Sequence, residues 1–321
     1  MEKVLIIFLF AVGVILVVKG GDYFVDAASW IAEVSGIPKL IVGATIVSVA
    51  TTLPEMLVSV MAAMEEKVDM SIGNAVGSVT ANIGLIMAIA LLFMPGIIKR
   101  KEYLLKSVLM ILATVLIVAC GFKGEVNITF SLVLLFIFVV FIGENISSAK
   151  KMMSTKQDTA EEKASTDRRT VITNIVKFII GAAGIVIGAR LLVDNGSILA
   201  RDVFHVDERI IGVTLVAVGT SLPELITTIT AIAKKQSALS VGNILGANIM
   251  DLTLIMPLCA VISGKSLPVT SELAKIDLPA CLLVGVIAII PAMISSKFSR
   301  WQGAALLMVY AAYVVVTCVA I

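Results

Sequence analysis

The chain has 321 residues, of which 59% are apolar and only 15% are charged, and its formal net charge is +2. A soluble globular domain has about a quarter charged residues, so this composition excludes an ordinary soluble protein. The small net charge does not indicate a strongly acidic or basic partner such as nucleic acid.

Apolar stretches of about 20 residues recur along the whole chain, which is the pattern of transmembrane helices. The period-2 alternation of a membrane barrel is absent, so we predict an all-α membrane protein with about ten transmembrane helices. The apolar N-terminal stretch is interpreted as the first span, because no small-residue cleavage pattern follows it. In chain order the predicted spans are 4–34, 39–64, 71–95, 103–121, 126–147, 170–200, 209–233, 239–262, 273–295 and 300–320.

The lysines and arginines outside the spans are unequally divided between the two sides of the membrane. Most of them fall in the loops around 39, 99–101, 150–169, 234–235 and 297–300. Because cytoplasmic loops carry an excess of Lys and Arg, we predict a multi-pass protein of the cell membrane with both termini extracellular. The polar 147–169 loop is then a cytoplasmic linker.

The two halves of the chain are related by an internal duplication. The segment GATIVSVATTLPEM at 43–56 matches GVTLVAVGTSLPEL at 212–225, and SIGNAVGSVTAN at 71–82 matches SVGNILGANIMD at 240–251. Both pairs share one offset, 224 − 55 = 169 for the glutamates. We therefore predict a first five-helix repeat at 1–146, the linker at 147–169, and a second five-helix repeat at 170–321.

An odd number of spans per repeat means that the second copy enters the membrane in the opposite orientation. The aligned loops agree, because EEK at 65–67 corresponds to KKQ at 234–236. Inverted repeats with interrupted helices at corresponding positions are typical of secondary transporters, whose sites lie near the bilayer midplane.

Each repeat places a proline, hydroxyls and a glutamate inside a predicted span. Pro54 and Pro223 lack an N–H and should interrupt their helices, which frees carbonyl groups for other partners. In the next span, Gly73 and Gly77, like Gly242 and Gly246, have GxxxG spacing, which predicts close helix packing. The result would be a pocket of carbonyl, hydroxyl and carboxylate oxygens that suits hard cations such as Na⁺ and Ca²⁺.

Three carboxylates at matched depth carry this interpretation: Glu55, Glu224 and Asp251. An acidic residue at a helix centre costs about 2.5–3.5 kcal/mol even on the lowest scale. No intramembrane Lys or Arg is obviously placed to pair with all three, so we interpret them as cation ligands. Asn74 and Asn243 could equally be ligands or ties between helices.

At these residues the sequence resembles the sodium/calcium exchanger family of the calcium/cation antiporter superfamily, and its short prokaryotic members in particular. The resemblance covers the whole layout of five plus five spans. It implies Ca²⁺ and Na⁺ as transported substrates, the lipid bilayer as surroundings, no cofactor and no nucleic-acid partner. It also implies ion ligands at these positions: Thr51, Thr52, Glu55, Ser78, Asn82, Thr220, Ser221, Glu224 and Asp251, with main-chain ligands at Ser48 and Ala217.

One departure concerns the second repeat, which reads GAN where many members of the family read GSN. Ala247 removes a hydroxyl that Ser78 supplies in the first repeat, which puts one Na⁺ site and the coupling ratio in doubt.

Other functions stay open at this point. The nearest are K⁺-dependent Na⁺/Ca²⁺ exchange and H⁺/Ca²⁺ or other divalent antiport on the same fold. A cation channel would need a continuous pore, usually with rings from several subunits. An intramembrane enzyme is disfavoured, because no nucleophile–base pair is evident.

Overall fold

The computed structural model describes residues 2–97, 100–157, 167–202 and 219–320, and this part of the chain is almost entirely helical. The helices are α1 Glu2–Ser35, α2 Lys39–Val42, α3 Ser48–Met64, α4 Val68–Ala81, α5 Ala88–Phe93, α6 Arg100–Lys123, α7 Ile128–Gln157, α8 Arg168–Asp202, α9 Leu222–Ala233, α10 Ser237–Met250, α11 Met256–Ser263, α12 Leu278–Ser295 and α13 Arg300–Ala320. Four π-helical turns interrupt these described segments: Gly43–Val47, Asn82–Met87, Asp251–Ile255 and Leu273–Asp277.

Nine helical segments in the described ranges are long and apolar enough to cross a membrane. They confirm the prediction of an all-α membrane protein. The seventh predicted span, 209–233, is represented by the shorter apolar helix α9, since residues 203–218 lie outside the described part. Helix α7 continues through Gln157, into the segment predicted as linker. The proposed repeat boundaries remain a prediction.

The first of two compact units consists of residues 1–51 and 145–243. Its longest helices, α1 and α8, have 34 and 35 residues, so each spans about 50 Å at 1.5 Å per residue. They pack along glycines: a Cβ atom at Gly181 would lie 2.6 Å from the Phe24 backbone nitrogen, and one at Gly20 would lie 2.9 Å from the Gly181 carbonyl oxygen. Only glycine permits this approach of the two backbones.

A second close approach in this unit brings the start of the second span against α10. A Cβ atom at Gly43 would overlap the Leu239 carbonyl, and one at Gly242 would overlap the Leu40 carbonyl. Around this crossing, Val42, Val47 and Leu239 are buried in one apolar cluster with side chains of α1 and α8. Gly43 and Gly242 therefore hold the start of the second span, and the polar segment of α3 that follows it, close to α10.

The second compact unit consists of residues 52–144 and 244–321. Helix α13 packs on α5 and on the preceding π turn, where Gly84 faces Tyr310. Helix α6 packs on α12, where Gly121 faces Leu278. The predicted close packing at Gly73 and Gly77 is wrong: among the described residues, a Cβ atom at Gly77 would meet nothing within 4 Å, and one at Gly73 only a leucine methyl at 4.0 Å.

Two short antiparallel strand pairs join loops of this unit. β1 Gly96–Ile97 pairs with β4 Lys297–Phe298, and β2 Glu125–Val126 pairs with β3 Leu267–Pro268. The pairs lie near opposite ends of α6, whose 24 residues span about 36 Å. The charge distribution assigns the loops of β1 and β4 to one side and those of β2 and β3 to the other, so each pair joins loops of the same predicted side.

The repeat is visible in the turns that end α3 and α9. Glu66 and Lys235, related by 235 − 66 = 169, both adopt positive φ, at 59° and 55°. The next residue in each turn donates its N–H in the same way, Lys67 to the Ala62 carbonyl and Gln236 to the Ala231 carbonyl. The duplicated sequence therefore folds into the same local turn twice.

Candidate functional site

The two prolines of the repeat have different surroundings. Helix α3 continues through Pro54 from Ser48 to Met64, and its irregularity comes earlier, in the π turn Gly43–Val47. The prediction that Pro54 interrupts its helix is wrong. Pro223 lies in the first turn of α9, where its missing N–H leaves no hydrogen bond unmade. The second copy therefore presents its glutamate near a helix N-terminus.

In the second unit, Thr52 and Glu55 are buried on one face of α3. Asn74 of α4 donates from Nδ2 to the Glu55 carbonyl oxygen at 3.2 Å and to Ser59 Oγ at 3.0 Å. Of the two roles left open for Asn74, these contacts favour a tie between helices. The tie holds α4 beside the segment that carries the glutamate.

The same unit brings together the polar residues on α4 and α10. Asn82 Nδ2 donates to Asn248 Oδ1 at 3.1 Å, and both side chains are fully buried, as are Ser78 and Asp251. Asn82 Oδ1 has no hydrogen-bond partner among the described residues. Buried amide oxygens are normally satisfied, so this oxygen is available to a cation.

Asn82 and Asp251 each begin a π-helical turn, at equivalent positions of the repeat. Such turns interrupt α-helices frequently at functional sites. The sequence did not predict these turns, because no residue type is specific to a π turn within an apolar span.

In the first unit, Ser48 and Thr51 are buried at the start of α3. The Thr51 hydroxyl donates to Asn243 Oδ1 at 3.1 Å and lies 3.4 Å from the Ser48 carbonyl oxygen. Asn243 therefore ties α10 to α3, just as Asn74 ties α4 to α3. Ser48, predicted as a main-chain ligand, presents its carbonyl within this polar cluster.

The second repeat contributes Thr220, Ser221 and Glu224 to the same unit. Ser221 and Glu224 are fully buried, and Thr220 is half-buried. Ser221 Oγ caps no N–H of α9 and has no hydrogen-bond partner in the part of the chain that is described. The predicted main-chain ligand Ala217 lies outside the described residues.

The oxygen atoms of these clusters belong to several kinds of group: carboxylates, amides, hydroxyls and main-chain carbonyls. Within the described ranges, no three His, Cys, Asp or Glu side chains come together as a metal cluster. An ion held here would take most of its ligands from hydroxyl, amide and carbonyl oxygens. Such ligands suit alkali and alkaline-earth cations rather than soft transition metals.

Asn248 contacts the predicted ligand Asn82, and sequence reasoning missed it as a candidate site residue. It was overlooked because its repeat counterpart is Val79 (248 − 169 = 79), so the duplication did not select it. Its position in the GAN segment was the available signal.

Comparison with known proteins supports the sequence resemblance. The profile of the sodium/calcium exchanger protein family matches residues 5–145 and 173–319. The chain belongs to the sodium/calcium exchanger family. It is therefore a membrane cation antiporter and not an enzyme, as the sequence predicted.

Individual relatives of this exchanger cover most of its length. The inner membrane protein YrbG of Escherichia coli is 35% identical over 260 residues, 79% of either chain. The sodium/calcium exchanger MaX1 of Methanosarcina acetivorans is 30% identical, covering 95% of this chain and 96% of that protein. A structure of the sodium-calcium exchanger NCX_Mj, soaked with Na⁺ and Sr²⁺, has a TM-score of 0.78 at 29% identity and covers 98% of this chain.

Proposed function

We propose that this exchanger transports Na⁺ and Ca²⁺ in opposite directions across the cell membrane by alternating access. The observation that carries the proposal is the full burial of Glu55 and Glu224, which stand at equivalent positions of the two sequence repeats. Neither belongs to a group of three or more His, Cys, Asp or Glu side chains in the described ranges, so each serves as an anionic ligand among neutral oxygens. The named relatives that exchange Na⁺ and Ca²⁺ support the choice of ions.

The proposed ligands follow the repeat. Side-chain oxygens of the TxLPE segments and of the following helices bind the ions, and two carbonyl groups assist. Orphaned buried oxygens of Asn82 and Ser221 support this set. The members are Thr51, Thr52, Glu55, Ser78, Asn82, Thr220, Ser221, Glu224 and Asp251, with the carbonyls of Ser48 and Ala217.

Exchange follows from competition for shared charge. Glu55 and Glu224 carry the two negative charges that Ca²⁺ requires, and Asp251 adds a third that is needed only for a load of three Na⁺. Bound Ca²⁺ and a full Na⁺ load then exclude each other. Ala247, which lacks the hydroxyl of Ser78, weakens one Na⁺ position.

We further propose that both termini are extracellular and that the 147–169 loop is cytoplasmic. The unequal distribution of lysine and arginine supports this orientation. Contacts within each unit support the division of the loops between the two sides of the membrane. Lys39 Nζ donates to Gln236 Oε1 at 2.8 Å, and Lys265 lies 3.8 Å from Glu66. Both contacts join loops that the sequence assigns to a common side.

The test compares driving ions in proteoliposomes that contain the purified protein. Vesicles are loaded with Na⁺, K⁺ or choline and diluted into ⁴⁵Ca²⁺ with or without external K⁺, and a parallel set carries a pH gradient. We expect rapid uptake only from Na⁺-loaded vesicles, with or without K⁺. Uptake that requires K⁺, or that follows the pH gradient without Na⁺, would replace the proposal with K⁺-dependent or H⁺-coupled exchange.

A further inference from the structure

The π-helical turn Leu273–Asp277 is not explained by the proposed ligands. Two of the other turns begin at Asn82 and Asp251, and the third immediately precedes Ser48. The segment equivalent to the fourth turn is 104–108 (273 − 169 = 104, 277 − 169 = 108), which is regular α-helix in α6. This irregularity therefore belongs to the second half of the chain alone, and it ends at an aspartate.

Asp277 is a half-buried carboxylate inside the membrane-spanning segment Leu273–Ser295. Its Oδ1 accepts a hydrogen bond from the Tyr313 hydroxyl at 2.6 Å. Among the described residues, no lysine or arginine forms an ion pair with it. An intramembrane carboxylate without a cationic side chain is costly and marks a functional site.

Polar contacts within the second unit connect Asp277 with Asp251. Helix α4 packs against both π turns that carry these aspartates. Cys281, one helical turn after Asp277, is buried beside Thr80 of α4. Tyr313, Asp277, Cys281, Thr80 and Asp251 therefore lie on elements that pack together in this unit, and we call these five residues the polar column.

We propose that Asp277 and Tyr313 form an additional binding site for a monovalent cation, from which the cation passes along this column to Asp251. This inference rests on the proposed function, because Asp251 is one of the proposed Na⁺ ligands. One carboxylate and one hydroxyl offer a single negative charge. A single charge balances one monovalent cation and leaves a divalent cation half-compensated, so the site matches Na⁺, the monovalent ion of the proposed function, rather than Ca²⁺.

The site lies toward the end of the unit at which β2 and β3 pair. Ala274, in the same π turn, faces Gly121 at the end of α6, where a Cβ atom would lie 3.7 Å from the Ala274 Cα. The charge distribution assigns this end to the outside of the cell. The cation therefore enters the column from the extracellular solution.

The first experiment measures the external Na⁺ concentration that gives half-maximal Ca²⁺ flux. Asp277→Asn keeps the shape and the acceptor for Tyr313 but removes the charge, and we expect it to raise this concentration about tenfold. Tyr313→Phe should raise it less. Glu272→Gln is the matched control, because Glu272 is an exposed carboxylate beside the same turn; its charge reaches Asp277 only at a distance, so the value should change far less than in Asp277→Asn. An unchanged value in Asp277→Asn, or an equal rise in Glu272→Gln, would overturn the proposal.

The second experiment measures Na⁺ binding without transport, so that it decides the inference even if Na⁺-driven exchange is not found. The thermal unfolding temperature of detergent-solubilised protein is compared in NaCl and in choline chloride of equal concentration. A cation that binds the folded state raises this temperature. We expect similar Na⁺-dependent increases in the natural protein and Glu272→Gln, and clearly smaller ones in Asp277→Asn and Tyr313→Phe. No increase in the natural protein, or the same increase in all four, would refute the site.

Discussion

Individual residues determine which ions the exchanger can hold. Glu55 and Glu224 are fully removed from water, as are Ser221, Ser78 and Asn82. Burial of these groups is unfavourable unless a ligand or a neighbour compensates it. The proposed function assigns this compensation to a transported cation, and the two glutamates stand at equivalent positions of the repeat (224 − 55 = 169).

Replacing either glutamate by glutamine should nearly abolish Ca²⁺ transport. Removal of one member of a buried charge interaction costs about 3–5 kcal/mol, so we expect Na⁺-driven ⁴⁵Ca²⁺ flux to fall at least about a hundredfold in Glu55→Gln and in Glu224→Gln. Expression and thermal stability in ion-free buffer should be retained, because an unfavourable buried charge has been removed. Glu66→Gln, at an exposed carboxylate, is the control. Robust Ca²⁺ uptake by either buried variant would disprove the assignment.

The sequence could predict Glu55, Glu224 and Asp251 because a carboxylate in an apolar span is conspicuous. Asn248 and Asp277 were missed for a common physical reason. Each lacks a polar counterpart in the first repeat, where Val79 and Val108 stand (277 − 169 = 108). A duplication reveals only what both copies retain.

Helices and turns show how the polar groups are positioned. The glycines that matter are those at which two backbones meet, at Gly20 and Gly181 between α1 and α8 and at Gly43 and Gly242 beside α10. GxxxG spacing alone did not identify them, because Gly77 has the spacing without the contact. Spacing along one helix cannot show which face the partner covers.

Gly181→Ala should loosen the contact between α1 and α8. The added methyl would lie 2.6 Å from the Phe24 backbone nitrogen, so the helices must separate, and overpacking of this kind costs about 1–3 kcal/mol. We expect a lower thermal unfolding temperature in detergent. Gly143→Ala is the control, since a Cβ atom there would meet nothing within 4 Å in the described structure. Equal stability of the two variants would show that the contact contributes little.

For the molecule as a whole, the central structural prediction is the inverted repeat. The spans were predictable because apolar length is a strong signal, and the matching turns at Glu66 and Lys235 show that this one turn is alike in the two copies. Helix length and parity do not fix which side faces the cell interior. That choice depends on loop charge.

Single cysteines at the two turns test this orientation. In a background without the four natural cysteines, a membrane-impermeant thiol reagent should label Glu66→Cys from outside intact cells. Lys235→Cys should react only after the membrane is permeabilised, because equivalent turns of an inverted repeat face opposite sides. If both positions react from the same side, the repeat is not inverted, and the proposed alternating-access mechanism, which depends on an inverted repeat, is wrong.

The charges of the proposed ligands predict a voltage-dependent cycle. With three Na⁺ exchanged for one Ca²⁺, one net positive charge moves inward for each Ca²⁺ extruded, which is worth about 2.3 kcal/mol per 100 mV. The membrane potential of the vesicles is clamped with valinomycin. Extrusion of Ca²⁺ should become faster as the interior becomes more negative, once direct effects of K⁺ have been subtracted. A flux independent of voltage would instead indicate a two-for-one, electroneutral cycle, as the missing hydroxyl at Ala247 would allow.

Accumulation of Ca²⁺ against its own gradient tests the claim of Na⁺/Ca²⁺ exchange most directly. Proteoliposomes are loaded with Na⁺ and with Ca²⁺ at the external concentration, then diluted into buffer that contains ⁴⁵Ca²⁺ but neither Na⁺ nor K⁺. We predict that internal Ca²⁺ rises above the external concentration and falls again when a Na⁺ ionophore dissipates the gradient. Equilibration that never exceeds the external concentration would contradict the account and indicate a channel or an uncoupled pathway.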